Sequence, residues 1–540
     1  MSNRRFLKQV RFLVVLGIVV VLVFSMTAFA STSHYVPPTV TYSYDNCSVP
    51  ITIDLGLSNW GPDKFEDTPM QQWWKEKYNI NLIMDTLPGG TSGSAIYDMG
   101  LNARIAAKDA PDVWITTNRS LMFKWANQGV SIDDVQPLIQ KYMPTYSKYL
   151  EKDNLQTCMN SSKKIVAVPL RPSCITNMWI LRKDWLDKLG LSVPKTMDDL
   201  YEVAYAFAKK DPDGNGKADT YAFLDLWDRL ESGIFAGFDV MAGKTVTQGF
   251  GSWQIKNGKL YSSLELPNFR KAVAWFAKCV KEGVIHPDWA TNDSYDVYTS
   301  ALTNGKVGIM CGEWWWVWGP AFEGVKLDPK MAWVGTPNIG GRAPMTTPTS
   351  TRFMVLNKNL LKDEAKLKRV MLFLDQLMAV SNEGQFVTVR GVTKDNKPTL
   401  GGHLITLPDG TFVEDHTNCY WNTKSYTYAS VRIFEDNLDQ YAPGKVFGLN
   451  DEGMQTIATA CYTQTTGVDD VGNFLDKSAT ADIGGNWDKF IPASLMDFLS
   501  GRTPISGWSK FVKTAMTQYR GNDMKAIYTK QLASQGFAVH

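Results

Sequence analysis

The segment that follows residue 50 alternates between two hydrophobic patterns. Apolar residues occupy every second position, or form a short unbroken run, in 51–57, 80–84 and 112–115, which predicts three strands. Apolar residues recur at helical spacing in 68–78 and 94–108, which predicts a helix in each interval. The second helix is predicted to turn these residues inward: Ile96, Met99, Ala103, Ala106 and Ala107. The order β-α-β-α-β predicts an α/β fold built on an open sheet with helices on both faces.

A second group of elements begins near residue 165. Thr196 and Asp199 form a capping-box-like start for a helix. The apolar positions of that helix are Met197, Leu200, Tyr201, Ala204, Tyr205 and Ala208. Further segments are predicted as strands at 165–168, 178–181 and 305–311, and as a helix at 269–280. Because no low-complexity linker or repeat separates the two groups, we expect two lobes that share several chain crossings.

The first thirty residues have the pattern of an export signal. Four basic residues precede an apolar run from Phe12 to Phe24, and Ala28-Phe29-Ala30 follows as a cleavage site. The run is shorter than the ~20 residues of a membrane-spanning helix, so cleavage after Ala30 is favoured over a retained anchor. The first cysteine, Cys47, lies too far from the run to be a lipidation site. We therefore expect a soluble mature protein, either periplasmic or extracellular.

Composition narrows the class of partner. The net charge of +2 gives no reason to expect a nucleic acid or a membrane surface as partner. Nineteen tryptophans in an exported chain favour sugar recognition, because the apolar face of a pyranose ring stacks on indole. Seven cysteines leave at least one thiol unpaired, and Cys158 with Cys174 is a candidate disulfide across a hairpin.

Residues 211–219 form the most specific motif in the chain. Oxygen-bearing side chains stand at loop positions 1, 3, 5 and 9, with a glycine at position 6 and a backbone carbonyl available at position 7: Asp211, Asp213, Asn215, Asp219, Gly216 and Lys217. That spacing is typical of a calcium loop. Position 12 is Ala222, so the bidentate glutamate of a calcium sensor is missing and a structural Ca2+ is predicted. The alternative is an acidic turn without a metal.

Candidate ligand-binding residues are drawn from loop-like segments in which polar and aromatic residues mix. The strongest is the tryptophan cluster directly after the strand at 305–311, since open α/β sheets place ligand-contacting loops after strands. The full set is Ser58, Asn59, Trp60, Asp63, Arg171, Asn177, Trp227, Trp253, Glu313, Trp314, Trp315 and Arg352. For each, the alternative is a turn former, a solvated charge or a core aromatic.

Catalytic patterns are mostly missing from the sequence. The five histidines are scattered, and none has the spacing of metal ligands. Gly243-Lys244-Thr245 resembles the end of a phosphate-binding loop, but Phe238 stands where that motif requires glycine. Carboxylates are numerous enough that a glycosidase pair, which is recognised by distance in space, stays an alternative.

Four segments resemble the family 1 extracellular solute-binding proteins of ABC importers, especially the large calcium-containing oligosaccharide-binding branch. They are Ala110-Pro-Asp-Val-Trp114, the run from Met178 to Gly190 with Pro194 and Thr196, Asn304-Gly-Lys-Val-Gly308, and Phe498-Leu-Ser-Gly-Arg502 with Trp508. The resemblance covers almost the whole mature chain. It implies a two-lobed periplasmic-binding-protein-like fold with a ligand cleft between the lobes and several hinge crossings.

The resemblance also implies a mechanism. A monomer closes on an oligosaccharide and presents it to the transmembrane subunits of an ABC permease, without catalysis. It implies a signal peptide at 1–30, lobe 1 at 31–170 and 345–430, lobe 2 at 171–344, and a C-terminal helical part at 431–540 that packs on lobe 2. In the calcium loop it implies a ligand at position 10, where this chain has Thr220, whose hydroxyl or a water would substitute for the usual acidic group. The rival hypotheses are a secreted carbohydrate-active enzyme and a binding protein for another solute, such as a peptide.

Overall fold

The structure is a computed structural model, and the parts of the chain it describes are residues 33–34, 39–58, 69–87, 95–148, 150, 155–170, 178–225, 229–240, 252–292, 294–312, 324–325, 327–336, 339–340, 352–378, 383–384, 392–393, 404–406, 412–414, 419–420 and 471–540. The strands in this part are β1 Ser33–His34, β2 Ile51–Ser58, β3 Ile80–Leu87, β4 Val113–Thr116, β5 Val168–Pro169, β6 Met178–Arg182, β7 Tyr221–Phe223, β8 Trp253–Lys256, β9 Lys259–Ser262, β10 Val307–Gly312, β11 Trp333–Thr336, β12 Phe353–Leu356, β13 Val392–Thr393, β14 Leu404–Thr406, β15 Phe412–Glu414 and β16 Cys419–Tyr420. The helices are α1 Pro69–Tyr78, α2 Ala95–Ala106, α3 Arg119–Asn127, α4 Gln136–Tyr142, α5 Lys183–Leu189, α6 Met197–Lys209, α7 Arg229–Gly237, α8 Pro267–Lys281, α9 Tyr295–Thr303, α10 Glu364–Met378, α11 Ala481–Leu499, α12 Trp508–Thr517 and α13 Gly521–Ser534.

The first lobe is built on a five-stranded sheet in the order β3-β2-β4-β12-β5. Strands β2, β3 and β4 run parallel, as the alternation of strands and helices predicts, whereas β12 runs antiparallel to both β4 and β5. Its core combines side chains from two separate stretches of the chain, 42–170 and 353–378. Residues 353–378 therefore return to the sheet that the earlier segment began.

Helix α2 packs on this sheet by a different face from the predicted one. Ile96 and Met99 are 61% and 71% exposed, and the alanines predicted inward are not buried either. Tyr97 and Leu101 are fully buried instead, and the Tyr97 hydroxyl donates a hydrogen bond to the Ile115 carbonyl at 2.6 Å. The buried aromatic ring and its satisfied hydroxyl set the rotation of the helix, which counting small apolar residues does not detect.

The second lobe is built on a four-stranded sheet in the order β11-β6-β10-β7. Strand β6 is antiparallel to β10 and β11, and β7 is parallel to β10. Helix α6 begins with the predicted capping box: the Asp199 N–H donates to Thr196 Oγ1 at 3.1 Å, and the Thr196 N–H donates to the Asp199 carboxylate at 3.0 Å. Tyr205, predicted on the apolar side of this helix, is 40% exposed.

The core of the second lobe joins residues 179–339 to the C-terminal segment 471–539. Helices α11, α12 and α13 contribute to it, so the C-terminal segment packs with β6 to β11 and not with the first sheet. The predicted domain boundaries themselves stay predictions. Cys158 is a free, buried thiol whose pKa burial raises to about 12, so the predicted pairing with Cys174 is wrong. Among the described helices, none has the length and apolar character needed to cross a membrane.

Candidate functional site

The first sheet gathers several chain ends at one edge. Ser58 at the end of β2 pairs with Leu87 at the end of β3, so these parallel strands finish together. Thr116 at the end of β4 pairs with Phe353 at the start of β12, and Pro169 at the end of β5 pairs with the same Phe353. This edge, the carboxyl edge of the first sheet, is where open α/β sheets bind ligands.

The second sheet has a corresponding edge. Met178 at the start of β6 pairs with Gly312 at the end of β10, and Thr336 at the end of β11 lies opposite Trp179. Strand β7 runs parallel to β10 toward the same edge, but it ends at Phe223 opposite Ile309, three residues before β10 ends. Three segments of chain, at the start of β6 and the ends of β10 and β11, therefore enter or leave the second sheet along one line.

The chain passes between the two edges at least twice. Residues 171–177 separate Leu170, the last described residue after β5, from the start of β6. Eight residue steps reach roughly 29 Å at most, which limits the distance between the two edges to the span of a ligand cleft. Another passage runs from β11 to β12. Both passages run between the first edge and the second, so the two edges lie on the sides of the lobes that the chain connects.

Arg119 connects the lobes beside this site, and the sequence reasoning missed it. It begins α3, three residues after β4 ends, and its guanidinium donates to the Thr157 carbonyl in the first lobe at 2.5 and 3.0 Å. The Nη1 atom donates to the carbonyls of Gly472 and Leu475, in the C-terminal segment, at 3.2 and 3.1 Å. Its position directly after a strand of the first sheet was the available signal.

Most predicted ligand residues adjoin these two edges in sequence. Ser58 ends β2, and Arg352 directly precedes β12, with its carbonyl accepting a hydrogen bond from Leu170 N–H at 3.0 Å and its side chain exposed. Nine others lie outside the described residues, so their placement stays a prediction: Asn59, Trp60, Asp63, Arg171, Asn177, Trp227, Glu313, Trp314 and Trp315. Six of these are within two residues of a described strand end at one of the two edges: Asn59, Trp60, Arg171, Asn177, Glu313 and Trp314.

Trp253 is the predicted ligand residue that the structure places elsewhere. It is 3% exposed in β8, its ring stacks on Trp487 at 6.3 Å between centroids, and it meets Tyr528 edge-on at 5.3 Å. These contacts hold the C-terminal helices against the β8–β9 hairpin. Trp253 is therefore a core residue, and the prediction that it contacts ligand is corrected.

The loop at 211–219 lies between α6 and β7 and has a backbone suited to its glycines. Gly214 and Gly216 have φ of +76° and +78°, a conformation that a side chain disfavours. Asp211 accepts hydrogen bonds from the backbone N–H groups of Gly214 and Asn215 through Oδ1 and of Gly216 through Oδ2, at 3.0 to 3.1 Å. The carboxylate at position 1 therefore organises the turn.

The other side chains of the loop converge on the Asn215 amide. Its Nδ2 atom donates to Asp213 Oδ2 at 2.8 Å and to Asp219 Oδ1 at 3.0 Å. Two carboxylates thus approach one point from two sides. Rotating the amide by about 180° around its last torsion would present an acceptor oxygen to the same point, as a cation requires.

Two lysine side chains contact the loop. Lys306 Nζ lies 2.6 Å from Asp219 Oδ2 and 3.9 Å from Asp213 Oδ2. The hydrogen bond from Lys306, followed by that from Asn215, holds the pKa of Asp219 below its usual value. Lys188 Nζ donates to the Pro212 carbonyl at 2.9 Å. In the described part of the chain, histidine, cysteine and acidic side chains form no group of three placed to hold a metal ion.

Thr220 does not match its predicted role. Its hydroxyl donates to the Phe207 carbonyl at 2.7 Å, near the end of α6, and its side chain is 2% exposed. The hydroxyl therefore satisfies a helix carbonyl, and of the two predicted substitutes at position 10 a water molecule fits better. Ala222 at position 12 is fully buried.

Two lobes, each built on its own sheet and joined by more than one passage of the chain, are the arrangement of a solute-binding protein. The family model of the bacterial extracellular solute-binding proteins matches residues 63–367, which is more than half of the chain. The chain belongs to this family.

Three characterised relatives share parts of the sequence. Lipoprotein LipO of Bacillus subtilis strain 168 is 28% identical over 369 residues, which cover 65% of this chain and 66% of LipO. The polygalacturonan/rhamnogalacturonan-binding protein YtcQ of the same organism is 29% identical over 207 residues, covering 37% of this chain and 39% of YtcQ. The fructooligosaccharide ABC transporter substrate-binding protein FusA of Streptococcus pneumoniae is 38% identical over 225 residues, covering 38% of this chain and 40% of FusA. The chain thus spans 39% to 66% of the length of these relatives.

Solved structures extend the likeness to the whole fold. FusA in complex with kestose superposes with a TM-score of 0.62 at 19% identity, over 90% of this chain and 98% of FusA. The FusA EF-hand mutant in complex with fructo-nystose superposes with a TM-score of 0.61 at 19% identity, over the same shares of the two chains. At this identity the likeness establishes the fold, which is the two-lobed periplasmic-binding-protein-like fold expected from the sequence.

Proposed function

We propose that this chain is the substrate-binding protein of an ABC importer, and that it captures a carbohydrate between its two lobes. The observation that carries the proposal is topological. The strand ends and starts described above gather at two sheet edges, and polar or aromatic residues adjoin them in the sequence. Tryptophans next to one edge suit the apolar faces of sugar rings, and amide and hydroxyl groups suit their hydroxyls.

Lobe closure follows from a site divided in this way. Groups on both lobes contribute affinity only when both contact the same ligand, so a bound solute favours the closed state. Arg119 already bridges the lobes through carbonyls on each side. The closed form would then deliver the solute to the transmembrane subunits of the importer. We infer a monomer, because a single chain supplies both edges of the cleft.

The solute class is an oligosaccharide. Two of the relatives that share sequence are described as binding fructooligosaccharides or pectic polysaccharides. Arg352, exposed beside the first edge, and Arg171 are suited to the carboxylate of a uronic acid, which would favour a pectic fragment over a neutral sugar.

The leader pattern in residues 1–30 and the extracellular character of the family support export before function. Calcium is the proposed structural cofactor of the loop 211–219. The side chains of Asp211, Asp213, Asn215 and Asp219, the Lys217 carbonyl and a water would hold it, with Lys306 displaced from Asp219. Calcium would supply a fixed positive charge that joins the end of α6 to β7. FusA, which is described with an EF-hand, supports this assignment.

A thermal-shift screen of the mature protein tests the proposal. Kestose, tri-galacturonate and a peptide are added in excess, because a ligand that binds only the folded state raises the unfolding midpoint. We expect the unfolding midpoint to rise by several degrees with one carbohydrate. The folded state gains about 2.7 kcal/mol of stability when the ligand concentration is a hundred times Kd. A rise with the peptide alone would contradict a carbohydrate ligand.

The same samples separate binding from catalysis. A binding protein leaves an excess of oligosaccharide intact, whereas the rival hypothesis of a secreted carbohydrate-active enzyme predicts shorter products. Chromatography of the sugar after incubation provides the measurement. Recovery of intact sugar together with a midpoint rise supports the importer; cleavage products would support the enzyme.

A further inference from the structure

A buried carboxylate lies at the carboxyl edge of the first sheet, in a position that none of the predicted ligand residues occupies. Asp98 is in the first turn of α2 and is 8% exposed. Its Oδ2 atom accepts a hydrogen bond from Asn118 Nδ2 at 2.8 Å. Asn118 lies two residues beyond the end of β4. The Asp98 carboxylate is therefore held beside the end of a parallel strand, where open sheets bind ligands.

Asn118 is a rigid partner for this carboxylate. Its Oδ1 atom accepts a hydrogen bond from Leu121 N–H at 3.1 Å, which caps the start of α3. Its own backbone N–H donates to Thr116 Oγ1 at 2.9 Å. Because the amide oxygen is committed to the helix, only the amide nitrogen is available to Asp98. The orientation of the Asp98 carboxylate is thus fixed by one of its two oxygens.

The second oxygen of the same carboxylate is unmatched. Asp98 Oδ1 is buried and has no hydrogen-bond partner among the described residues. Burial raises the pKa of Asp98, and the hydrogen bond from Asn118 only partly offsets that effect. A buried carboxylate oxygen without a donor is unfavourable, so this oxygen calls for a donor beyond those that the described residues supply.

We propose that Asp98 is a carbohydrate-contacting residue whose Oδ1 atom accepts a hydrogen bond from a hydroxyl group of the bound solute. The inference rests on the proposed function and specifies one contact within it. A sugar hydroxyl is a neutral donor, and a carboxylate is a stronger acceptor for it than an amide or a carbonyl. A sugar hydroxyl at this oxygen would satisfy the Asp98 carboxylate without disturbing its bond to Asn118.

Asp54 provides a matched control in the same sheet. Its Oδ2 atom accepts a hydrogen bond from Arg104 Nη2 at 3.1 Å, and its Oδ1 atom is buried without a partner among the described residues. However, the Asp54 N–H donates to Asp112, which directly precedes β4, so Asp54 lies at the opposite end of that strand. An unmatched oxygen is common to both residues, and only Asp98 combines it with the carboxyl edge.

Isothermal titration with kestose and tri-galacturonate as probes tests the contact in wild type, Asp98→Ala, Asp98→Asn and Asp54→Asn. We expect Asp98→Ala to weaken binding of the recognised probe by about tenfold or more, because a charged acceptor is lost. Asp98→Asn keeps an oxygen for Asn118 but places an amide nitrogen where the acceptor was, so about threefold to tenfold weaker binding is expected. Asp54→Asn should stay within about twofold of wild type, as expected for a distant independent site.

The outcomes separate a ligand contact from a structural role. If Asp98→Asn binds as tightly as wild type while Asp98→Ala does not, Asp98 only positions Asn118 and the proposal is overturned. Unfolding midpoints of the two Asn variants are compared, so that a shared loss of stability is not mistaken for lost affinity. If wild type binds neither probe nor any other carbohydrate, the proposed function falls and this inference with it. If wild type binds a probe and the Asp98 variants are unchanged, only this inference falls.

Discussion

Two parts of the molecule gather carboxylates in opposite ways. In the loop at 211–219 the acidic side chains come from a single short segment, and Asp219 is paired with a lysine at the surface. A second cluster, which we call the N-terminal anchor, consists of Tyr42, Asp45, Arg369 and Asp375, and it joins positions 333 and 324 residues apart. The carboxylates of the loop are exposed, so water and dissolved ions can solvate them. The charged groups of the anchor are buried, and they depend on one another for hydrogen bonds because water does not reach them.

The arginine of the anchor has every contact fixed. Arg369 is 2% exposed, and its Nε and Nη2 atoms donate to the two oxygens of Asp45 at 2.7 and 2.9 Å. Its Nη1 atom donates to the carbonyl of Tyr78 at 2.7 Å and to that of Asn79 at 3.1 Å. Arg369 on α10 therefore joins the segment before β2 to the turn before β3.

The carboxylate of the anchor is equally constrained. Asp375 is fully buried and accepts hydrogen bonds from the Tyr42 hydroxyl at 2.7 Å, Thr145 N–H at 3.0 Å and Tyr146 N–H at 2.7 Å. It thus fixes the chain near residue 42 and the turn after α4 on the same helix. We therefore expect carboxylates brought together by the fold to contribute more to stability than carboxylates brought together by spacing along the chain.

The strongest test of that comparison is Arg369→Met. We expect a loss of about 3–5 kcal/mol in the free energy of unfolding, because the Asp45 carboxylate loses its charged partner and the buried Tyr78 carbonyl loses the Arg369 donor. Chemical denaturation of wild type and variant measures the difference.

Lys368→Met is the matched control on the neighbouring residue of α10. Lys368 pairs with Glu364 at 2.8 Å on the exposed side of the helix, so no measurable change in unfolding free energy is expected. Equal losses in the two variants would mean that the anchor contributes no more than an exposed pair, and the contrast drawn above would be lost.

Asp375→Asn tests the same anchor with a smaller expected effect. An amide keeps the size of the carboxylate, but its NH2 group faces an O–H or N–H that donates to the carboxylate in the wild type. We expect the lost hydrogen bond to lower the free energy of unfolding by about 1–3 kcal/mol. Burial raises the pKa of Asp375 above its ordinary value of 3.8, despite hydrogen bonds that lower it. The folded state therefore holds this proton more tightly than the unfolded state does.

The pH dependence of this substitution follows from the direction of the shift. The stability that protonated Asp375 contributes is complete below its unfolded pKa of 3.8 and is lost as pH rises through the higher folded pKa. The amide of the Asp375→Asn variant cannot titrate. The loss of unfolding free energy caused by the substitution should therefore be largest at about pH 4 and smaller at neutral pH. Denaturation at both pH values measures this; a cost that grows toward neutral pH would show that Asp375 is stabilised as the anion.

The loop and the anchor also differ in whether they could be predicted from the sequence. Hydrophobic period predicted β2, α1 and β3, and the capping box at Thr196 predicted the start of α6, because each signal lies within a few residues. The loop at 211–219 could be found for the same reason. The anchor could not be predicted, because no residue pattern near Asp45 or near Arg369 indicates that these two side chains are in contact.

The candidate site divides in the same way. The rule that ligands bind beyond strand ends selected Ser58, which the structure places at the end of β2. Arg352 was chosen from a loop-like segment, and the structure places it directly before β12. The rule did not select Arg119 or Asp98, whose roles depend on contacts with Thr157 and Asn118 across the fold. Trp253 was selected from a loop-like segment in which polar and aromatic residues mix, and that pattern does not separate a buried ring from one that faces a ligand.

The smallest expected effect concerns the loop, and it is a change in calcium affinity at an exposed site. Lys306→Met removes the ammonium group that lies 2.6 Å from Asp219, where a bound cation would need the same carboxylate. We expect calcium to bind the variant about five- to tenfold more tightly, since a like charge a few ångströms from the ion is removed in a largely aqueous setting. Calcium titration followed by the unfolding midpoint provides the measurement.

Lys209→Met is the control. It removes an equal charge whose contact is the Gly283 carbonyl outside the loop, and it should leave calcium affinity unchanged. If neither wild type nor Lys306→Met responds to calcium, then the loop is an acidic turn held by its own hydrogen bonds, and exposed carboxylates gathered by spacing need not form a metal site. Equal calcium affinity in these two proteins would instead show that Lys306 does not compete with the ion for Asp219.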